Sequence, residues 1–374
     1  MAIAGIDQRT FTAKLSREYE NFRTERENSL DTLSKQKSVI VYSFGSKGRQ
    51  LCDQLKRAGI ECVIFDNSQQ AMEHASSEGF PTTSDIHLDL PLIVAAGQNQ
   101  GSILSGLPRP AYSLAEGLYA YDLIHAFGKA REFTQNIPSI ANDLYAIYQR
   151  IDSSCRQEFL DVLLFRASLD VRHILSTRTP VSQMYMPPAA VGAIRSFCDV
   201  GAYDGDTLTF MKNAFPELES TFAVEPNPEL EVKIQAAAKQ GKLTNRTFVG
   251  VAWSHKTKLC CNTSANGMMS VTEDGNGTIV ADTLDSITSG RTYDYVKFDV
   301  EGAEAPALKG AQSILRNSRC IAIAGYHLPN DFIDIPRNTA KVVGGESANA
   351  WQCDFHHYSE CFDDSIFYFY RASN

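Results

Sequence analysis

The sequence lacks the marks of a nucleic-acid-binding protein and of a membrane protein. Its formal net charge is −9, with 35 lysines and arginines against 44 aspartates and glutamates, and the basic residues form no cluster. Because neutralising nucleic-acid phosphates requires a basic face, we expect no nucleic-acid partner. No apolar run approaches the roughly 20 residues that cross a bilayer, so we expect no membrane partner either.

Paired metal-binding cysteines and a secretory leader are also missing. The nine cysteines show no CxxC spacing. An odd number of cysteines, several of them within apolar runs, is typical of reduced thiols in a cytoplasmic protein. The amino-terminus has no basic start followed by an apolar stretch. We therefore expect a cytoplasmic location and no zinc site built from cysteines.

What the chain does contain is a globular composition with alternating apolar patterns. With 374 residues, 43% of them hydrophobic and 21% charged, it is too long for a single hydrophobic core. Residues 1–37 carry apolar side chains at steps of three and four, from Phe11 to Leu33, which predicts an amphipathic helix. The stripe is interrupted at Arg26, and this favours packing on the following domain over a coiled-coil arm.

Residues 38–110 predict a small Rossmann-like domain. A β-branched run at Ser38–Phe44 precedes a glycine-containing turn, a helix at Ser46–Ala58 and a strand at Glu61–Asp66, and a later strand covers Leu90–Ala96. This succession of strand, glycine turn, helix and strand is the start of a parallel sheet. Residues 111–190 show helical periodicity without strands and predict a helical connector.

Residues 191–374 predict a larger α/β domain. Five parallel strands followed by an antiparallel hairpin form the doubly wound sheet of class I methyltransferases, and this is the fold class that we expect here. The predicted parallel strands are Ile194–Val200, Thr221–Glu225, Thr247–Val251, Tyr295–Asp299 and Cys320–Tyr326, and the predicted hairpin pairs Trp351–His357 with Ser365–Arg371.

A glycine-rich turn follows the first of these strands. It reads Asp199-Val200-Gly201-Ala202-Tyr203-Asp204-Gly205. Its glycines let a ligand approach the backbone, and the helix that follows offers free amides. A dinucleotide site would read GxGxxG, whereas Asp199, Asp204 and Asp206 would repel a pyrophosphate and suit a ligand with an ammonium and a sulfonium. Glu225, twenty positions beyond Gly205, is placed to accept hydrogen bonds from two ribose hydroxyls.

Two further strand ends carry polar side chains. One strand delivers Asp299 and Glu301 to the carboxyl edge, where ligands bind in open α/β sheets. Glu304 is interpreted as a cap of the next helix, through the helix dipole. His327 follows the next strand and is expected to face the same crevice. We interpret Asp299, Glu301 and His327 as the catalytic group.

Five segments in order carry a resemblance to a known family. DVGAYDGDT, FAVEPNPE, VADTLDSI, VKFDVEGAE and GYHLPNDFIDIP resemble the FkbM-type methyltransferases over nearly all of residues 196–370. The resemblance implies a class I fold, S-adenosylmethionine as the methyl donor, and methylation of a hydroxyl on a sugar, glycan or related metabolite. It also implies the small amino-terminal domain and the connector of the longer members. The predicted cofactor-binding residues are Asp199, Gly201, Ala202, Tyr203, Gly205, Asp206, Glu225, Asn227 and Asp299.

Methyl transfer to a hydroxyl needs an acceptor for the hydroxyl proton, and two arrangements can provide one. We favour His327 as a general base. The rival is a hard divalent cation such as Mg²⁺, held by Asp299 and Glu301, which would acidify the hydroxyl. We predict no metal ligands, so a divalent metal is the less favoured alternative.

The amino-terminal unit raises a separate hypothesis about a nucleotide sugar. Its turn reads Ser43-Phe44-Gly45-Ser46-Lys47-Gly48, with Ser43 where the first glycine of GxGxxG would stand, and Asp66 occupies the position of a ribose acid. Binding a nucleotide sugar and serving only as a structural platform both remain open. So do a nicotinamide-dependent oxidoreductase, a nucleotide-sugar-binding protein without methyl transfer, the identity of the acceptor, and the oligomeric state.

Overall fold

A computed structural model describes residues 5–263, 269–273, 276–344 and 351–371. The amino-terminal helix is divided by a π-helical turn. It consists of α1 (Gln8–Asn21), the turn Phe22–Arg26 and α2 (Glu27–Ser34). The wider π turn shifts the register, so that the apolar stripe interrupted at Arg26 resumes at Leu30. Phe11 is buried against Tyr145 and Tyr148, and the helix therefore packs on the chain's own connector.

The amino-terminal sheet is parallel and small. Its elements are β1 (Ser38–Tyr42), α3 (Ser46–Arg57), β2 (Glu61–Phe65), α4 (Gln69–Ser77), β3 (Leu92–Val94), α5 (Gln100–Gly106) and β4 (Tyr112–Ser113). The strand order is β2-β1-β3-β4, so the connections reverse direction between β1 and β3. The fourth strand lies beyond the predicted boundary at residue 110, because two residues are too few to show a periodic pattern.

The connector is mainly helical. It contains α6 (Leu114–Ala120), β5 (Ile124–His125), β6 (Gly128–Lys129), α7 (Ala130–Gln135), α8 (Ile137–Tyr148), α9 (Arg156–Ser168) and α10 (Arg172–Leu175). The short hairpin β5–β6 was not expected. It places Phe127 at its turn, facing the carboxy-terminal domain. Two 3₁₀ turns, Val181–Gln183 and Ala189–Val191, complete the connector.

The carboxy-terminal domain has the predicted fold class. Its sheet has the order β16-β17-β15-β14-β7-β8-β9, with five parallel strands from β15 to β9 and β17 antiparallel to both of its neighbours. The connections reverse direction between β7 and β14. Its elements are β7 (Ser196–Val200), α11 (Asp206–Ala214), β8 (Ser220–Glu225), α12 (Glu231–Gln240), β9 (Thr244–Val249), β10 (Val251–Ala252), β11 (Thr257–Thr263), β12 (Met269–Thr272), β13 (Ile279–Asp282), α13 (Leu284–Ile287), β14 (Tyr295–Phe298), α14 (Glu304–Lys309), α15 (Gln312–Asn317), β15 (Cys320–Ala324), α16 (Asp331–Gly344), β16 (Gln352–His357) and β17 (Ser365–Tyr370).

A small second sheet was not predicted. Strands β10 to β13 form it in the order β10-β13-β11-β12, and their short, partly polar segments gave no strand signal. One hydrophobic core runs from Phe11 through Phe159 of α9 to Phe367 of β17, so the connector and the carboxy-terminal sheet share buried contacts. Within the residues described, no helix combines the length and apolarity needed to cross a membrane.

Candidate functional site

The turn after β7 is built around glycines that the geometry requires. Gly201 has a φ of +88°, and a Cβ added there would lie 1.8 Å from the carbonyl oxygen of Asp299. The amides of Gly201 and Ala202 both donate to the carbonyl of Val224, which ties the turn to β8. Gly205, at φ +86°, leads into α11. The turn therefore follows a path that side chains would obstruct.

Glu225 is fixed at the end of β8 beside this turn. Its carboxylate accepts hydrogen bonds from the amide of Tyr203 at 3.0 Å and from the amide of Asn227 at 2.9 Å. Burial raises the pKa of Glu225, although these two backbone hydrogen bonds oppose the shift. Tyr203 is 63% exposed, so the turn reaches the protein surface. Asn227 uses its side chain to accept from the amide of Glu229.

Asp199 lies beneath the turn and makes a buried ion pair. Its Oδ1 accepts from Nζ of Lys297 at 2.9 Å, and the two residues are register partners on β7 and β14. Lys297 also donates to the carbonyl of Gly201. Burial raises the pKa of Asp199 to about 6, and the charge of Lys297 opposes the shift. The pair supports the turn from below, while Asp206 is exposed at the first position of α11.

The strand ends of β14 and β15 bring the three predicted catalytic side chains together. Nε2 of His327 lies 3.5 Å from Oδ1 of Asp299 and 3.5 Å from Oε2 of Glu301. His327 is fully buried, whereas the side chains of Asp299 and Glu301 are 24% and 45% exposed. Glu301 adopts a φ of +55°, a left-handed conformation that is uncommon for glutamate. The carboxylates thus form the exposed side of the group.

Glu304 contributes a fourth charge that the sequence pattern had assigned only to helix capping. Its Oε1 lies 2.9 Å from Nδ1 of His327 and also accepts from the amide of Val300. Burial disfavours a charged imidazole, but the charges of Glu304, Asp299 and Glu301 outweigh it and raise the pKa of His327 to about 10. Burial also raises the pKa of Glu301 to about 7. The group is therefore strongly coupled electrostatically.

Two tyrosines complete the walls of this group, and neither was assigned a role from the sequence. The hydroxyl of Tyr185 donates to Oδ2 of Asp299 at 2.9 Å, and that of Tyr326 lies 3.5 Å from Oδ1. Tyr185 belongs to the Gln183-Met184-Tyr185 segment and has a φ of +62°. Its carbonyl accepts from the hydroxyl of Tyr295. Tyr326, the last residue of the predicted strand Cys320–Tyr326, could have been placed at this edge of the sheet, whereas Tyr185 had no such signal.

Comparison with known proteins bears directly on this domain. Residues 199–352 match the family model of the methyltransferase FkbM domain. This part of the chain is therefore similar to the FkbM methyltransferase domain. The matched residues begin at Asp199 and include the turn, Glu225, Asp299, Glu301 and His327.

Solved structures extend the likeness to the rest of the chain. Methyltransferase FkbM from Methylobacillus flagellatus KT shares the fold with a TM-score of 0.72 at 15% identity, covering 97% of this chain and 100% of that one. O-methyltransferase TomG from Streptomyces achromogenes (TM-score 0.32, 10% identity, 50% of this chain and 76% of that one) and fibrillarin from Aeropyrum pernix (0.31, 13%, 48% and 68%) are too distant to support any inference. A search of curated proteins found no match.

The connector forms part of the wall beside the polar group of the carboxy-terminal domain. The amide of Phe127, at the β5–β6 turn, donates to the carbonyl of His327 at 3.2 Å. The Phe127 ring lies so close to Gly302 that a Cβ there would stand 3.1 Å from it. The connector thus fixes the backbone on both sides of the catalytic candidates.

The carboxyl edge of the amino-terminal sheet is covered by a loop of the carboxy-terminal domain. We call residues 358–364, between β16 and β17, the docking segment. Its Glu360 accepts hydrogen bonds from the amides of Asn99 and Gly101, at 3.1 and 2.8 Å, and from Arg178 at 2.7 Å. Its Asp363 makes a salt bridge with Lys47. Carboxylates of the chain itself therefore take the positions where a Rossmann-like sheet usually receives phosphates.

A small cavity remains between this sheet and the docking segment. It measures about 260 Å³ and is lined by Ser43, Lys47, Gly97 and Asp363, among others. Small-molecule sites usually enclose roughly 300–1,000 Å³, so a nucleotide sugar would need the segment to move away. Binding of a nucleotide sugar stays a prediction. The buried contacts favour the platform interpretation.

Proposed function

We propose that this protein is an S-adenosylmethionine-dependent methyltransferase that methylates a hydroxyl on a sugar, glycan or related metabolite. The observation that carries the proposal is the grouping of polar residues at one edge of the sheet, at the reversal point between β7 and β14. The glycine turn and Glu225 lie on one side of it, and Asp299, Glu301 and His327 lie on the other. Ligands of doubly wound sheets bind at this kind of position. The matched FkbM domain supports the same assignment.

The residues of the turn have distinct proposed roles toward the cofactor. Glu225 would accept hydrogen bonds from the ribose hydroxyls, since its two oxygens are already aligned by the amides of Tyr203 and Asn227. Gly201 and Gly205 would keep the turn on its close path beside the cofactor, since a Cβ at either position would meet the chain itself, and Ala202 lies between them in the same turn. Further proposed contributors are Asp199 through its support of the turn, Asp206 at the start of α11, and Asp299 at the neighbouring strand end.

S-adenosylmethionine supplies the methyl group and the leaving group, so the protein must orient the acceptor and receive a proton. We propose that His327, Asp299 and Glu301 do this as one unit. A hydroxyl between the exposed carboxylates can donate to Asp299 or Glu301, and Nε2 of His327 lies 3.5 Å from both. Tyr185 and Glu304 hold the unit in place through Asp299 and Nδ1 of His327.

Replacing Glu225 tests the cofactor assignment. Glu225→Ala should weaken S-adenosylmethionine binding by about 1.5–3 kcal/mol, the usual contribution of hydrogen bonds to a charged group. Isothermal titration calorimetry on both proteins measures this difference. Asp66→Ala is the matched control, because Asp66 accepts from the amides of Phe44 and Ser68 at the same place in the other sheet.

The outcomes separate the proposed function from its alternatives. Equal affinities for the wild type and Glu225→Ala would remove Glu225 from the ribose site. A protein that binds UDP-glucose but no S-adenosylmethionine would favour the nucleotide-sugar-binding alternative instead. The acceptor itself is found by incubating the protein with labelled cofactor and panels of nucleotide sugars, free glycans and polyketide alcohols.

A further inference from the structure

Nε2 of His327, just beyond the end of β15, has surroundings that are typical of a ligand-binding atom. The side chain is fully buried, and Nε2 has no hydrogen-bond partner among the described residues. An unsatisfied buried nitrogen costs about 1–3 kcal/mol, so native proteins usually pair such atoms or coordinate them to something. Nδ1, on the other side of the ring, is already bound to Glu304. The ring is therefore fixed with Nε2 directed toward the partly exposed carboxylates of Asp299 and Glu301.

The spacing around Nε2 fits ligands of a common ion better than hydrogen bonds. Oδ1 of Asp299 and Oε2 of Glu301 each lie 3.5 Å from it, beyond the usual hydrogen-bond range. Ligands that stand about 2.1 Å from a tetrahedral or octahedral ion are separated from one another by roughly 3.0–3.4 Å. Oε2 of Glu301 is itself buried with no hydrogen-bond partner described. Small movements of Asp299 and Glu301 would complete a three-ligand site.

Glu304 contacts His327 as carboxylates commonly contact metal-bound histidines, through the ring nitrogen that does not bind the metal. Metal-ligating imidazoles usually donate the other ring N–H to a carboxylate, which fixes the tautomer and the ring orientation. Oε1 of Glu304 makes this contact at 2.9 Å and is anchored by the amide of Val300. Ligand atoms of Asp299, Glu304 and His327 can all lie within 4.8 Å of one another. Because Glu304 already serves Nδ1, Glu301 is the better third ligand.

The charge of the group also calls for a cation. Three carboxylates surround one imidazole, and the nearby lysines are engaged elsewhere: Lys297 with Asp199 and Lys47 with Asp363. Three carboxylates so close together repel one another, and this repulsion is costly in a partly buried group. A divalent ion would reduce this repulsion and use the unpaired nitrogen at the same time.

We propose that a divalent transition-metal cation, such as Mn²⁺ or Zn²⁺, binds to Nε2 of His327 and to the carboxylates of Asp299 and Glu301. Imidazole as a ligand favours such ions over Mg²⁺, which prefers oxygen ligands alone. Binding of the ion does not depend on the proposed function, but its use does. In methyl transfer the ion would coordinate the acceptor hydroxyl and lower its pKa, so that the proton would pass to solvent water while the oxygen forms its bond to the methyl carbon and the carbon–sulfur bond of the cofactor breaks. With the ion bound, Nε2 of His327 is a ligand and cannot also receive the proton, so in this arrangement His327 orients the acceptor through the ion and is not the base.

Binding of Mn²⁺ to the protein without cofactor or acceptor tests the site. Electron paramagnetic resonance measures free Mn²⁺ during titration, and we expect one saturable site in the wild type. Glu301→Gln and Asp299→Asn should each weaken binding at least tenfold. Both side chains are partly exposed, so these variants should fold even if His327→Ala does not. Thermal unfolding of each variant confirms that it is folded.

Cys155→Ala is the matched control, because Cys155, Asp354 and His356 form the other cluster of metal-ligating side chains among the described residues. Mn²⁺ binding should be unchanged in this variant. A wild type without saturable binding at millimolar Mn²⁺ would overturn the inference, as would binding lost in Cys155→Ala but kept in Glu301→Gln. Since the titration contains no S-adenosylmethionine, a protein that binds Mn²⁺ but not the cofactor would refute the proposed function and leave the metal site standing.

Discussion

The two parallel sheets of this protein carry almost the same local structure at their reversal points. In each, a strand leads through a tight turn into a helix, and an acid at the end of the next strand accepts two backbone amides. Glu225 accepts from Tyr203 and Asn227, and Asp66 accepts from Phe44 and Ser68. In both cases the second amide belongs to the residue two positions after the acid. The backbone hydrogen bonds around the two acids therefore do not distinguish one turn from the other.

The difference lies in what faces each turn. At the carboxy-terminal turn, Tyr203 is 63% exposed. At the amino-terminal turn, Lys47 is paired with Asp363, and Glu360 caps the start of α5. Burial alone would raise the pKa of Asp363, but the charge of Lys47 outweighs it and lowers that pKa well below the usual range. A turn that resembles a ligand site can thus be satisfied by the chain itself, and this distinguishes the amino-terminal turn from the carboxy-terminal one.

The largest expected effect comes from breaking the contact between the amino-terminal turn and the docking segment. Lys47→Met leaves the buried carboxylate of Asp363 without its partner. Breaking a buried ion pair lowers the free energy of unfolding by about 3–5 kcal/mol. Because Lys47 is partly exposed, we expect a loss near the lower end, about 3 kcal/mol. Urea unfolding measures the loss, and S-adenosylmethionine affinity should stay unchanged because Lys47 belongs to the other sheet.

Two further variants make this measurement specific. Lys56→Met, on the same helix, removes an ammonium that lies over the ring of Phe80 and should cost less than about 1 kcal/mol. The double variant Lys47→Met/Asp363→Asn should recover part of the lost stability, since it removes the unpaired charge. If Lys47→Met unfolds at the wild-type urea concentration, the pair does not hold the docking segment.

A smaller effect is expected from acid, because two buried histidines flank the docking segment. Burial lowers the pKa of His357 and of His125 to about 3. In the unfolded chain, each would bind a proton near pH 6.5, so stability present above that pH is lost as the pH falls toward 3. Each histidine should contribute about 1.4 kcal/mol per pH unit to this loss. Acid should therefore weaken the junction between the two sheets.

His357→Asn tests the titration separately from the packing. Between pH 6.5 and pH 5, the free energy of unfolding should fall by about 2 kcal/mol less in this variant than in the wild type. Urea unfolding at several pH values measures the difference. A constant offset would report altered packing, whereas a changed slope reports the proton. His255→Asn is the control, since His255 is exposed and should leave the slope unaltered. An unchanged slope in His357→Asn would contradict the prediction.

Sequence patterns predicted the architecture of both sheets because buried parallel strands are continuous apolar runs bounded by turns. The interval from Gly205 to Glu225 predicted that the glycine turn and Glu225 lie side by side, and the strand ends predicted that Asp299, Glu301 and His327 lie together, as they do. Their roles toward a cofactor stay a prediction. The ion pair of Asp199 with Lys297 was missed, although each is a single charge in an apolar strand and such charges must find partners.

Other features had no local signal. Glu360 and Asp363 lie in a hairpin turn, where polar residues are normally solvated. The two backbone amides at the start of α5 that donate to Glu360 belong to residues at least 259 positions earlier in the chain. Two-residue strands and the small second sheet also lack periodicity. What the sequence could not provide was therefore long-range pairing of polar groups, and this pairing decides which of the two sheet edges is covered by the chain itself.

The smallest expected effect comes from replacing Ser43, the first residue of the amino-terminal turn, with the glycine that such turns usually contain. Ser43 has a φ of +83°, the left-handed conformation that glycine adopts without strain. Ser43→Gly should relieve about 1–2 kcal/mol of strain, and the added freedom of the unfolded chain should offset 0.5–1 kcal/mol of that gain. We expect a net stabilisation of roughly 0.5–1 kcal/mol in urea unfolding. Ser46→Gly, at the first position of α3, is the matched control and should destabilise by a similar amount, since it adds freedom without relieving strain. A destabilising Ser43→Gly would mean that the serine side chain makes a contact worth more than the strain it causes, and the amino-terminal turn would then have to be reconsidered as a binding element.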